Sequence, residues 1–172
     1  MNIKNVLTLV AIVAIGGGSY FVRAQSDTPE TPIGAETGEG IVTVYKSEFC
    51  GCCGGWVDHL RANGLEVNIV NVASTIETRD RLGVPHELGS CHTAKVGKYW
   101  VEGHVPADLV QQLVSEQPDD IRGIAAPGMP LGSPGMEGPN PVTFNIVAHY
   151  ADGTNSVYAT RKGKTAVEKE AD

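Results

Sequence analysis

The sequence predicts an α/β fold, and three observations predict it. Short β-branched runs alternate with stretches whose apolar residues recur at helical spacing. Glycine and proline punctuate the boundaries between them. The first apolar strand runs straight into a cysteine loop that opens a helix. Strand, cysteine loop and helix in that order is the thioredoxin-like plan, here expected as one domain with a Pro/Gly/Met-rich loop and a C-terminal β-hairpin. A fold of this kind says little by itself about function.

The elements follow in order. Ile41 to Tyr45 is β-branched and aromatic and reads as a buried strand. Trp56 to Ala62 places Trp56, Val57 and Leu60 on one helical face, and Asn63-Gly64 stops it. Leu65 to Val72 alternates Leu65, Val67 and Ile69 against polar positions, which makes it a second strand. Thr75 to Leu82 is a short polar helix with Ser74 or Thr75 as its cap, broken by Gly83-Val84-Pro85. Cys91 to Val96 and Tyr99 to His104 flank Gly97-Lys98, whose leading glycine marks a type II′ hairpin. Pro106 opens a helix over Ala107 to Gln117, with Leu109, Val110, Leu113 and Val114 as its stripe. Residues 118–141 hold six prolines and five glycines in 24 residues, too many for regular structure. They read as an ordered lid with Met129 and Met136 at its centre. Val142 to Tyr150 and Val157 to Arg161 form the terminal hairpin around Asp152-Gly153.

The flanks differ from this body. Lys4, the ten-residue apolar run Val6 to Ile15, and Val22-Arg23-Ala24 make residues 1–24 a signal peptide with cleavage after Ala24. The alternative is an uncleaved anchor over residues 6–22, short for a span of about 20 residues. Either places the body outside the cytoplasm, in the periplasm or beyond. Residues 25–40 read as a flexible linker, 41–161 as the domain, and 162–172 as a charged, frayed tail. The chain has 172 residues with 13 basic and 20 acidic side chains. Setting aside Lys4 and Arg23 leaves 11 against 20, a net of −9. Such a surface disfavours nucleic acid and anionic membrane, so any membrane contact is expected only through an uncleaved leader. No catalytic triad, phosphate loop or carboxylate pair stands out.

Chemistry concentrates in the four cysteines: Cys50, Cys52 and Cys53 within four residues, and Cys91 followed at once by His92. Two structural disulfides are the bland reading for an exported chain. Against that, Cys52 and Cys53 are adjacent and close only with strain. Thiolates at a helix start are stabilised by its free N–H groups, and their pKa falls. Three of them aimed at one point repel, and a metal cation relieves the repulsion. Zinc takes four thiolates, but neighbouring cysteines cannot easily both reach one ion. They bridge between ions, which suits soft, low-coordinate copper(I). Met129 and Met136 would add thioether sulfur. A two-residue turn at Gly97-Lys98 makes facing residue numbers sum to 195, so Cys91 faces His104 and the two project together. His92 should point the other way. His59, His86 and His149 carry no such argument.

The string Cys50-Gly-Cys-Cys-Gly-Gly-Trp56-Val-Asp-His59-Leu60 opens a wider pattern. Gly83-Val-Pro85, Ser90-Cys91-His92-Thr93-Ala94 and Val101-Glu-Gly-His104-Val-Pro106 follow. Pro127-Gly-Met129-Pro-Leu-Gly-Ser-Pro-Gly-Met136-Glu137 completes it. Together, over residues 41–150, they resemble the CopG family of exported bacterial copper-resistance proteins. The resemblance implies a thioredoxin-like fold and a multinuclear copper(I) cluster bridged by Cys50, Cys52, Cys53 and Cys91. The hairpin after Tyr150 departs from the family pattern. The sequence therefore points to an exported copper(I)-binding protein in copper resistance, by sequestration, hand-over or redox conversion. Its expected metal ligands are Cys50, Cys52, Cys53, Cys91, His104, Met129 and Met136, and its partners are metal ions and other exported copper-handling proteins. The alternative is a thiol–disulfide oxidoreductase using Cys50 and Cys53, with Pro85 as the cis-proline facing them.

Overall fold

Val42–Lys46 forms strand β1, buried along its whole length, and everything else is arranged on it. The computed structural model describes residues 40–167. The leader, the linker before residue 40 and the tail beyond 167 lie outside the described residues. β1 feeds helix α1 (Gly51–Ala62), which starts five residues earlier than the apolar pattern suggested, so Cys52 and Cys53 lie in its first turn. α1 returns to β2 (Val67–Asn71), parallel to β1 with Val42 opposite Val67. Helix α2 (Thr75–Leu82) follows, with Ser74 Oγ accepting from the Glu77 N–H and Gly83 closing it in the left-handed region at φ +73°. A 3-10 turn at His86–Leu88 leads to β3 (Thr93–Val96) and β4 (Tyr99–Gly103). Helix α3 (Ala107–Glu116) then precedes β5 (Ile121–Ala126), β6 (Thr143–Tyr150), β7 (Asn155–Lys162) and β8 (Thr165–Ala166).

The strands form one mixed sheet in the order β2-β1-β3-β4-β5-β6-β7-β8. The β3–β4 hairpin pairs Thr93 with Glu102 and Val96 with Tyr99, the register that a two-residue turn requires. Gly97 sits at φ +51°, while Lys98 keeps the ordinary negative φ. α1 and α3 cover one face. Trp56, Val57 and Leu60 from α1 and Leu109, Val110 and Leu113 from α3 pack there against Val42, Val44, Val101 and Ile124. A smaller cluster of Val84, Leu88, Trp100 and Ala125 fills the other face beneath α2. The described residues belong to one compact unit, and none of their helices is long and apolar enough to cross a membrane.

Two expectations need correction. The segment taken as wholly irregular contains β5: residues 121–126 carry one glycine and no proline, and a parallel partner in β4 holds them extended. The terminal hairpin is therefore a continuation of the main sheet. Second, the tail does not fray at Lys162, since Thr165–Ala166 pairs back on β7. Ile69 on β2 is 39% exposed, because β2 is an edge strand and its neighbours cover it incompletely.

The lid proper is residues 127–142. It is tied by the Gly128 N–H to the Gly89 carbonyl at 3.0 Å and by the Val142 N–H to the Leu131 carbonyl at 3.0 Å. At its tip Gly135, φ +81°, presses its backbone onto the start of α1, where an added Cβ would lie 2.5 Å from the Cys52 carbonyl oxygen and 2.6 Å from the Trp56 nitrogen. Gly135→Ala is expected to lift the lid and cost on the order of 1–3 kcal/mol in urea denaturation. Gly54→Ala, where a Cβ meets nothing within 4 Å, should show no such loss.

Candidate metal centre

The turn Ser47–Cys50 delivers the first sulfur. The Cys50 N–H donates to the Ser47 carbonyl at 3.1 Å, and the Gly54 N–H closes the first helical turn on the Cys50 carbonyl at 3.2 Å. Cys50 is the N-cap of α1 and its side chain makes no capping bond, so its sulfur is free for other work. Cys50 and Cys53, one turn apart, are joined as a disulfide. Cys52 and Cys91 are free thiols. The Cys52 sulfur lies 3.5 Å from that of Cys50, and the Cys91 sulfur 3.6 Å from that of Cys53. All four lie within 4.8 Å of one another. Cys91 comes from a separate segment, just ahead of β3, the strand paired with β1, and closes the group.

His104 joins it from the end of β4. Its Nδ1 lies 2.8 Å from the Pro134 carbonyl oxygen in the lid. A carbonyl only accepts, so Nδ1 carries the proton and Nε2 keeps its lone pair. That lone pair faces the Cys91 sulfur at 3.0 Å. The structure thus brings together the cysteines and His104 of the expected set. Met129, 52% exposed, and the half-buried Met136 sit in the lid that covers them.

One residue escaped the sequence reading. His92 is fully buried, with Nδ1 3.3 Å from the Cys91 sulfur. Its ring lies 4.5 Å from the Trp56 ring and is edge-on to His104 at 5.0 Å. The expectation that it points away from Cys91 and His104 fails because strand alternation stops at the ends of the ladder. Gly103, at φ +70°, turns the chain so that His104 swings to the side His92 occupies. The signal was present: Gly103 between Glu102 and His104 is a residue that permits such a turn. His92 Nε2 is buried without a hydrogen-bond partner. The sulfurs and imidazoles of Cys91, His92 and His104 form a second convergent group that shares Cys91 with the first.

The electrostatics follow from burial. Burial first, and the neighbouring Cys52 second, push the Cys91 thiol up to about 11. The fall expected for helix-start thiolates does not apply to Cys91, which lies in no helix. At neutral pH it is a thiol facing the His104 lone pair. Burial first, then the adjacent His104, push His92 down to about 3. His104 is also lowered, chiefly by burial. Both imidazoles are therefore neutral and offer nitrogen lone pairs. Pro85 takes no part as a cis-proline, because every peptide bond among the described residues is trans. His59 is half-buried and accepts the Ala107 N–H at 3.0 Å, capping α3. His86 is exposed beside Asp80. His149 bonds Asn155 Oδ1 at 2.7 Å, and its ring lies 5.9 Å from that of Trp100.

Comparison with known proteins places these features. A family model described as "Protein of unknown function, DUF411" matches residues 88–136. A search of curated proteins finds no match. The solved structure named "Copper resistance protein copG- Form 2" is 41% identical with a TM-score of 0.67, covering 70% of this chain and 97% of its own. "Copper resistance protein copG- Form 1" gives the same identity and TM-score, over 72% and 98%.

A depressed histidine pKa makes stability rise with pH wherever the unfolded chain binds the extra proton. For His92 the contribution is whole above about 6.5 and is lost as pH falls toward about 3. The melting temperature of the metal-free protein should therefore decline below pH 6.5, and His92→Gln should flatten that decline.

Proposed function

We propose, since this chain belongs to the CopG copper-resistance family, that it is an exported copper(I)-binding protein whose four cysteines hold a multinuclear cuprous cluster. The observation that carries the reading is the convergence of Cys50, Cys52, Cys53 and Cys91 within 4.8 Å, from two separate segments of the fold. Thiolates this close repel, and cuprous ions bridged between sulfurs neutralise them. Copper is favoured over zinc because the donors are split three and one, with two adjacent in sequence, a poor match to one tetrahedral ion.

His104 fits as a nitrogen ligand because its proton is committed to Pro134 and its lone pair faces Cys91. Met136 follows Gly135, which rests on the Cys52 carbonyl, so its thioether is within one residue of the site's roof. Met129 is proposed as a second thioether that turns inward when the lid closes on metal. Copper displaces the Cys91 proton on binding, so affinity falls in acid. Loading also needs the Cys50–Cys53 disulfide opened: two electrons and two protons convert it to two thiols, whose protons copper then replaces.

A thioredoxin-like fold is supported by the order β2-β1-β3-β4, with β2 parallel and β3 antiparallel to β1 and α1 springing from the cysteine turn. Export, and action among other exported copper-handling proteins, follow the sequence reading of residues 1–24. A second reading has its own observation. The disulfide joins the two cysteines of a C-x-x-C pair at a helix start, which is the arrangement of a thiol–disulfide oxidoreductase.

Anaerobic titration of the reduced chain with copper(I) should load more than one ion per chain, with an X-ray absorption edge and shell typical of cuprous sulfur. The disulfide form should take up fewer ions. Absence of binding by the reduced chain, together with turnover of insulin disulfides by the metal-free protein, would transfer the conclusion to the second reading.

A further inference from the structure

The segment that carries Cys91 is gripped from the face of the sheet opposite α1. Glu102 on β4 is fully buried. Its Oε1 accepts from Arg79 Nε at 3.0 Å and from the Ser90 backbone N–H at 2.6 Å. Its Oε2 accepts from Thr93 Oγ1 at 2.5 Å. Arg79, on α2, also donates from its terminal nitrogen to the Ser90 carbonyl at 2.6 Å. One ion pair therefore holds both main-chain polar groups of the residue before Cys91. The Ser90 hydroxyl donates to the Gly128 carbonyl at 2.5 Å and lies 3.9 Å from the Cys91 sulfur.

The backbone around this grip tolerates nothing larger. A Cβ at Gly89 would stand 2.9 Å from the Arg79 guanidinium, and one at Gly103 would stand 2.5 Å from the Ser90 hydroxyl. Regular structure does not place Cys91, because the β3–β4 ladder begins only at Thr93. Nor does stability explain the pair: a buried ion pair is commonly matched by apolar residues of the same volume.

We infer that Arg79 and Glu102 are positioning residues, which fix the Cys91 sulfur against Cys53 through Ser90 and so set the metal affinity of the centre without touching the metal. This rests on the copper reading above. Partners that orient ligands in this way are worth about 10–100-fold in metal affinity.

The test compares Glu102→Gln, which keeps the shape, and the joint apolar replacement Arg79→Met with Glu102→Leu, against Leu113→Ala, a core cavity on α3. Three quantities are read: copper(I) affinity by anaerobic competition with a chromophoric chelator, melting temperature, and the alkylation rate of Cys91 relative to Cys52 in the reduced, metal-free chain. Both clamp variants should lose about tenfold or more in affinity and raise the Cys91 to Cys52 ratio severalfold. Leu113→Ala should leave that ratio alone, even where it melts lower. Equal ratios and affinities across all variants would overturn the inference. So would a matching change in Leu113→Ala, which would mark a merely structural effect. A wild-type chain that binds no copper would remove the copper reading, while the alkylation ratio still decides the clamp. If the clamp variants do not fold, hydrogen exchange of the native chain decides. The Ser90 amide must be protected like those of the central strands, and exchange at loop rates would end the proposal.

Discussion

Four sulfurs within 4.8 Å of one another cannot all be anionic at once in a partly buried site, and the rest of the structure answers to that constraint. Charge can be removed by protons, by a sulfur–sulfur bond or by metal. The structure shows the first two together. Cys50 and Cys53 are joined, and Cys91 holds its proton to about pH 11. In the copper reading the third takes the place of the Cys91 proton directly, and of the Cys50–Cys53 bond only after two electrons and two protons have reduced it to two thiols. His92 and His104 stay neutral because they are buried, so they add no charge of their own. The lid contributes a carbonyl, Pro134, that fixes which nitrogen of His104 is available.

The two faces of the sheet divide the labour. On one, α1 and α3 bury the large apolar side chains and carry Cys50, Cys52 and Cys53 at the first turn of α1. On the other, α2 contributes few apolar contacts but supplies Arg79. A short, polar helix with little apolar face gains its place through that buried ion pair as well as through packing. The site therefore depends on an element that contributes no ligand to it.

Much of this was legible in the sequence, and the reasons are specific. The Gly97-Lys98 turn set the β3–β4 register as far as Thr93 and Glu102, and Cys91 and His104 come together just beyond its end. Ser74 and Gly83 mark the two ends of α2 by cap chemistry alone. The cysteine spacing disclosed the cluster of sulfurs. The failures have equally definite causes. Composition over 24 residues hid β5, because the prolines fall around that strand and not inside it. Alternation placed His92 wrongly, since a single left-handed glycine at 103 ends the rule that alternation depends on. Ile69 falls on the apolar side of the β2 period yet is 39% exposed, because period cannot say that a strand will stand at the rim. The Arg79–Glu102 pair left no local trace, being 23 residues apart and brought together only by the sheet.

The extension of the sheet beyond β4 changes what the molecule presents to its neighbours. Without β5 to β8, β4 would leave an unpaired, wholly buried-type strand at the boundary, next to the cysteine cluster. With them, the outermost strand on that side among the described residues is the two-residue β8. The opposite rim, β2, is five residues long and carries Asn68 and Asn71. Short or polar borders are poor templates for intermolecular strand addition. In a chain whose two free thiols, Cys52 and Cys91, are only partly buried, such borders disfavour the strand-to-strand contact that would bring the thiols of two molecules together.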